Sequence, residues 1–428
     1  VYELNATSKN SNSKVYDQKW ESFSWQWENI LSYNHSFGLH NVGVMAGTTL
    51  YSYHYSGIYA EDYDLLIVDL KKGYINTATA PEENSIVSGD GNDHRLASVF
   101  SRINYNYDEK YLLEAEIRRD GSSNFAPKRQ YAIFPSFSVG WVLTREDFME
   151  NRPSWFDFAK IRVGWGQNGN ENIGAFKYTT MMTKVGNAVE DRKVYTAMLP
   201  NGYSNENLKW ETSEQTNIGI DLRFLRNALT FTADYFNKKT KDMLLWFPIP
   251  KYTSYSTMLM NTGNVKNEGV EFEASYKFDI SKVKIGLSGN ASYIKNTVSE
   301  QGQDRMGIDY LGGGMGGQVT YSENGRPYGF FYGYVHDGIF QNWDEVKSYT
   351  YEKDGINHLK QPNAQPGDMR FKDLDGKDGI NDEDRTMIGD PNPDWTFGFT
   401  LTAEWKDFDF SAFFQGSQGN DIFKLYRR

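Results

Sequence analysis

Cysteine is missing from all 428 residues, which excludes a disulfide scaffold, thiolate metal sites and cysteine nucleophiles. Its absence suits an envelope protein that crosses an oxidising compartment unfolded. Long apolar runs are missing as well: none approaches ~18 residues, so no transmembrane helix is expected. Positive charge is in deficit. With 45 Lys and Arg against 56 Asp and Glu the net charge is -11, and no basic stripe compensates locally, so nucleic acid is excluded as a partner. The six histidines show no metal spacing or partner pattern, and no serine-centred nucleophile motif occurs, so no enzyme activity is expected. Val1 is preceded by neither methionine nor a signal segment, which reads as a processed or truncated product.

What is abundant is aromatic: 29 Tyr, 27 Phe and 11 Trp in a chain whose hydrophobic fraction is only 39%. Such a chain is rich in interfacial side chains, as where rings form girdles at a membrane surface or a ligand platform. The stretch from Thr216 to Tyr235 sets the pattern. Ile218, Ile220, Leu222 and Phe224 alternate with Asn217, Gly219, Asp221 and Arg223; after a turn at Leu225-Arg226-Asn227, Leu229, Phe231, Ala233 and Tyr235 alternate with Thr230, Thr232 and Asp234. This is a β-hairpin with one apolar and one polar face. Asp221, Arg223 and Asp234 require water on the polar side, so the apolar side needs either a second sheet or lipid.

The remaining chain repeats this texture without a composition break, so residues 1–428 read as part of one domain. Strand-like runs are expected at Phe23–His35, Leu39–Tyr51, Arg95–Tyr107 and Tyr111–Arg119, then around Phe137–Leu143, Ala159–Gly166, Val270–Phe278 and Val283–Ser288, and from Trp395 through Ala412. The region from Tyr51 to Asp93 reads as a long polar excursion, and Thr144 as the N-cap of one helical turn over Arg145–Asn151. Short turns of about 3–6 residues alternate with loops of tens of residues, and about fourteen strands offer roughly 9–13 residues of alternation each. A compact soluble sandwich does not place a long loop at every second connection. The expected fold class is therefore all-β: an antiparallel up-and-down transmembrane β-barrel in the cell outer membrane, with Tyr107, Tyr111, Phe278, Trp405 and Phe408 in a girdle beside the short turns.

Several stretches carry a family resemblance. Tyr111-Leu-Leu-Glu-Ala-Glu-Ile-Arg-Arg-Asp-Gly-Ser-Ser-Asn-Phe125, Phe134-Pro-Ser-Phe-Ser-Val-Gly-Trp141 and Lys160-Ile-Arg-Val-Gly-Trp-Gly-Gln-Asn-Gly169 resemble the SusC/RagA-type TonB-dependent transporters of Bacteroidetes. So do Asn207-Leu-Lys-Trp-Glu-Thr212, Gly263-Asn-Val-Lys-Asn-Glu-Gly-Val-Glu-Phe-Glu273 and Gly389-Asp-Pro-Asn-Pro-Asp394, in the family's order. The resemblance implies an outer-membrane importer of about 22 strands with an N-terminal plug, a TonB-contacting region, and a SusD-like surface lipoprotein as lid. Neither the plug nor the strands that the family places after Asp421 is expected within this chain. The solute is expected to be an oligosaccharide or a peptide. The alternative is a barrel used as an adhesin or a structural scaffold without energised import.

Three groups of candidate residues stand out. Asp373-Leu-Asp375-Gly-Lys-Asp378-Gly-Ile-Asn-Asp-Glu-Asp384 resembles a twelve-position calcium loop, with acids at positions one, three and twelve but Lys377 at five and Gly379 one place late. It reads as a structural calcium site on Asp373, Asp375, Asp378 and Asp384, or as a solvated acidic turn; no other cofactor is expected. Rings on the long-loop side, Tyr53 and Tyr55, Trp246, Tyr252 and Tyr255, Tyr328 and Phe331, suit solute stacking, lid contact or loop packing. Asp221, Arg223, Glu271 and Glu273 are expected as lumen-wall charges, the two glutamates near Lys277 or Lys284.

Overall fold

The computed structural model describes residues 3–5, 8–9, 13–66, 71, 73–81, 84–190, 193–200, 202–250, 252, 255, 257–302, 305–308 and 319–424. Twelve strands form one antiparallel sheet in which each pairs with its neighbours in sequence order. They are β1 Lys14–Phe37, β2 His40–Tyr63, β3 Ile86–Tyr107, β4 Tyr111–Ser122, β5 Tyr131–Val142 and β6 Phe156–Asn170. β7 Glu211–Phe224, β8 Leu229–Lys241, β9 Asn264–Ile280, β10 Val283–Glu300, β11 Trp395–Trp405 and β12 Phe408–Gln418 complete the up-and-down meander.

The short connections all lie at one end. Two to four residues reverse the chain between β1 and β2, β3 and β4, β7 and β8, β9 and β10, and β11 and β12. Such tight reversals demand left-handed backbone, found at Gly38, Asp108, Glu109, Leu225, Arg226, Asn227, Ser281 and Lys406. The β5–β6 connection is the exception, with 3-10 turns at Leu143–Arg145 and Asp147–Met149. Thr144 is not the N-cap expected from the sequence: it sits inside the first turn, and its Oγ1 accepts from the Ala159 N–H at 3.4 Å. Glu146 holds the connection down, accepting from the Tyr111 hydroxyl at 2.6 Å, the Trp141 indole N–H at 2.8 Å and Lys110 Nζ at 3.2 Å. Those donors, Tyr111 foremost, keep its carboxyl below the ordinary range.

Two expectations change. The stretch Tyr51–Asp93 is about half strand rather than loop throughout, because β2 runs to Tyr63 and β3 starts at Ile86. Its alternating tyrosines are compatible with a pleated ribbon that outgrows the rest of the sheet. The main sheet has twelve strands rather than about fourteen. Phe330, Phe331 and Tyr332 belong to a small four-stranded sheet of Arg305–Ile308, Thr320–Glu323, Phe330–Tyr334 and Arg385–Gly389 within the β10–β11 connection. The glycine-rich stretch Gly312–Gly317 lies outside the described residues.

Directly paired residues share a face, so register reveals what each face carries. Val42, Tyr105, Leu113, Val139, Val163, Ile218, Tyr235, Val270, Tyr293 and Trp395 follow one another across ten strands as an unbroken apolar row. One residue along, the opposite face reads Asn41, Asn106, Leu112, Gly140, Arg162, Gly219, Asp234, Glu271, Ser292 and Thr396. On the apolar face Leu113 is 44% exposed, Val139 45% and Ile218 48%, so no second layer covers them among the described residues. A bare apolar sheet face of this extent requires lipid. On β1 the girdle rings Phe37 and Trp27 stand ten steps apart, about 33 Å along the strand at ~3.3 Å per residue and about 25 Å across once tilted, the height of an outer-membrane apolar band. A small buried core lies beyond this band, where Phe125, Phe134, Leu208, Trp210 and Leu259 pack beneath the long loops.

An arginine introduced on the two faces separates them. Ile218→Arg should destabilise the barrel by about 2–4 kcal/mol or block its assembly, whereas Asn217→Arg should cost less than about 1 kcal/mol, measured by heat-modifiable gel mobility and urea unfolding.

Candidate functional site

A trough of about 710 Å³ crosses the polar face from β1 to β7, lined by Asn34, Asn41, Asn104, Glu114, Arg162 and Asn217 among others. Its charges are organised by Arg162. The guanidinium donates from Nε and Nη2 to Asp221 at 2.8 and 3.0 Å, and from Nη2 to Asp234 at 3.0 Å. Asp234 lies directly across from Glu271, so Arg162 also offsets a like-charge juxtaposition. The ion pair needs Gly219 between its partners: a Cβ there would stand 2.2 Å from Asp234 Oδ1 and 2.8 Å from Arg162 Nη2.

The four expected wall charges lie on this polar face, but their partners differ from expectation. Arg223 stays out of the Arg162 network and lies over the Phe158 ring at 4.8 Å. Glu271 accepts from Ser292 Oγ at 3.4 Å, and Glu273 is paired across the sheet with Thr232 and Asn290. Lys284 is 3.7 Å from Glu404 and not beside either glutamate, because the register of β10 sets it opposite β11 at the short-turn end. Arg162 is the organising residue that sequence reasoning missed. The alternation Lys160-Ile161-Arg162-Val163 carried the signal, since it puts both cations on the polar face.

The aromatic candidates fall into three separate elements. Tyr53 and Tyr55 share one face of β2 with Tyr51 and Tyr59, and Trp20 of β1 stacks on Tyr55 with ring centroids 5.3 Å apart. Trp246 lies on the hairpin Leu244–Pro248/Thr257–Asn261, with Lys177 Nζ 5.7 Å from its ring. Tyr252, in the loop of that hairpin, is 88% exposed, and Tyr255 donates its hydroxyl to the Pro200 carbonyl at 3.0 Å. Tyr328 and Phe331 lie in the β10–β11 connection. The Tyr328 N–H donates to Asn296 at 2.7 Å, and Phe331 meets Phe423 at 5.8 Å.

In the acidic loop Asp373, Asp375 and Asp384 offer carboxylate oxygens within 4.8 Å of one another. Asp378 is not among them: Gly379 lies one place late, and Asp378 turns out to meet Lys353 Nζ at 2.6 Å. Asp384 is fully buried and accepts backbone N–H groups of Leu374 at 2.7 Å and Asn381 at 2.8 Å. Lys360 Nζ stands 2.9 Å from Asp373 Oδ2. Burial alone would raise the Asp373 pKa, but Lys360 and the Gly376 N–H outweigh it and hold the carboxyl below its ordinary range.

The family model of the TonB dependent receptor-like β-barrel matches residues 2–422. The chain belongs to this family. TonB-dependent receptor P3 of Formosa agariphila is 32% identical over 400 residues, covering 92% of this chain and 38% of that protein. TonB-dependent receptor SusC of Bacteroides thetaiotaomicron is 27% identical over 420 residues, covering 94% and 39%. In fold the chain is similar to the RagAB peptide transporter, with a TM-score of 0.78 at 21% identity over 96% of this chain and 42% of that one. The chain thus spans about two fifths of the relatives it matches.

For this TonB-dependent receptor barrel the two-faced sheet has its expected setting, an outer-membrane wall. Arg162→Met should leave Asp221 and Asp234 without their shared cation and cost about 1–3 kcal/mol in urea unfolding, and Gly219→Ala should cost a similar amount by displacing the same pair.

Proposed function

We propose that this chain forms wall of an outer-membrane importer that takes up oligosaccharides or peptides beneath a SusD-like surface lipoprotein, with energy supplied through TonB. The observation that carries the reading is the polar trough backed by an apolar face, a wet path through a lipid-facing wall. Kinship with a protein named SusC, and likeness in fold to one titled a peptide transporter, support it. The trough offers fixed charges and amides to a passing solute, which suits a wall that guides it.

An adhesin or scaffold would use the same wall without a lid. Purifying the full gene product from its native envelope separates the two readings. The importer should bring a lipoprotein partner with it, and deleting its gene should abolish growth on one class of oligosaccharide or peptide. Unchanged uptake of every such nutrient, with unrelated envelope proteins as the only partners, contradicts import.

We also propose Asp373, Asp375 and Asp384 as ligands of a structural calcium ion, which would displace the Lys360 ammonium from Asp373. Hard carboxylate oxygens at this spacing suit a divalent cation, and its role would be to order the insertion between β10 and β11. Calcium should slow proteolytic cleavage within residues 343–390 relative to EGTA. Lys360→Met should enlarge that calcium effect, because Asp373 then lacks its internal cation. Equal cleavage with and without calcium in both proteins overturns the assignment. In EGTA the Lys360–Asp373 contribution should be present above about pH 4 and fade as pH falls through the depressed Asp373 value, read from the same cleavage rates.

A further inference from the structure

β1, β2 and β3 are 24, 24 and 22 residues long, whereas β4 and β5 have 12 each. Past the upper girdle rings Trp25 and Trp27, they continue as a three-stranded blade above the apolar band. The pairing runs without a bulge through β1, β2 and β3, so the blade's inner face continues the polar trough face.

That inner face carries Tyr16 and Trp20 of β1 and Tyr51, Tyr53, Tyr55 and Tyr59 of β2. Trp20 lies parallel to Tyr55, at 5.3 Å and 19°, and Tyr16 stacks on Tyr59 at 6.1 Å and 28°. Gly57 lets Trp20 lie flat against the sheet: a Cβ there would stand 1.6 Å from the indole Cε3. Trp20 is nevertheless 45% exposed and Tyr16 59%, so each ring keeps a face open. Four residues apart on one strand, the two rings are about 13 Å from each other at ~3.3 Å per residue.

The polar groups sharing this face include Gln18, Ser22, Ser24, Ser88, Asp90, Asn92 and His94, whose Nε2 lies 3.1 Å from Glu171, and the Lys14 ammonium is paired with Glu61 at 2.5 Å. Flat rings spaced along an amide- and hydroxyl-rich wall fit ligands with alternating apolar C–H faces and hydroxyl edges. No arginine on this part of the face is available for a carboxylate or sulfate. We propose that Trp20 and Tyr16, backed by Tyr55 and Tyr59, form a stacking platform for a neutral oligosaccharide at the mouth of the barrel. This inference rests on the importer reading and narrows its solute class.

The test is tryptophan fluorescence titration of the full gene product in detergent. The probes are neutral hexose oligosaccharides of five to seven units, uronate oligosaccharides of the same length, and heptapeptides. Direct binding is measured in parallel by calorimetry, so that loss of the Trp20 signal is not mistaken for loss of binding. The proposal expects a neutral oligosaccharide to bind, Trp20→Ala and Tyr16→Ala each to weaken it about tenfold, and Gly57→Val to act like Trp20→Ala with the indole still present. Heat-modifiable gel mobility checks that each variant is folded. Neutral-sugar affinity unchanged in folded Trp20→Ala overturns the platform but leaves import standing. Uronates or peptides bound in place of neutral sugars, or no probe bound at all, overturns the solute class. Import itself is judged separately by lipoprotein co-purification and growth.

Discussion

A backbone N–H or C=O facing hydrocarbon without a partner costs several kcal/mol, and every other feature of this chain is arranged around avoiding that cost. The antiparallel ladder from β1 to β12 pairs each strand with its sequence neighbours, using reversals of two to four residues at one end. Once the ladder satisfies the backbone, side chains are free to be apolar on one face and charged on the other. Register then transmits that division across ten strands without a break.

The polar face is stabilised locally. Arg162 ties two strands' carboxylates together, and Gly219 clears the space between them. At the short-turn end Glu146 gathers Tyr111, Trp141 and Lys110, joining the girdle to the irregular β5–β6 connection. At the other end a small apolar core centred on Phe125, Leu208 and Trp210 anchors the long loops. The chain is thereby divided by height: a uniform two-faced wall in the membrane, and long loops and a blade beyond it.

Period-two alternation made the strands, the short-turn end and the lipid-facing side legible in the sequence, most plainly in the hairpin from Asn217 to Tyr235. What alternation does not encode is which side chains meet across strands. Arg162 and Asp221 are far apart in sequence and adjacent only through the β6–β7 register, so alternation points to Asp221 and Arg223 as wall charges but not to Arg162 as the partner of Asp221. The β2 and β3 arms of the blade read as a polar excursion because their tyrosines, serines and glycines look polar, although their spacing is that of a strand. In the acidic loop, spacing brought Asp373, Asp375 and Asp384 to notice, while Lys360 arrives from a preceding hairpin that no linear motif contains. Trp20 and Tyr16 precede Phe23, where the first expected strand starts, and lie on a strand that begins at Lys14.

The cysteine-free sequence permits the most direct test of the two-faced wall. Single cysteines placed in turn at residues 217 to 222 of the full gene product in nanodiscs, with any cysteine outside residues 1–428 replaced by serine and each carrying a nitroxide label, would be compared for accessibility to oxygen, which partitions into lipid, and to a polar nickel chelate. The account predicts strict alternation: oxygen accessibility highest at Ile218, Ile220 and Leu222, nickel accessibility highest at Asn217, Gly219 and Asp221. Equal accessibility along the strand, or nickel reaching the isoleucines, would contradict a barrel wall with lipid on one side and water on the other.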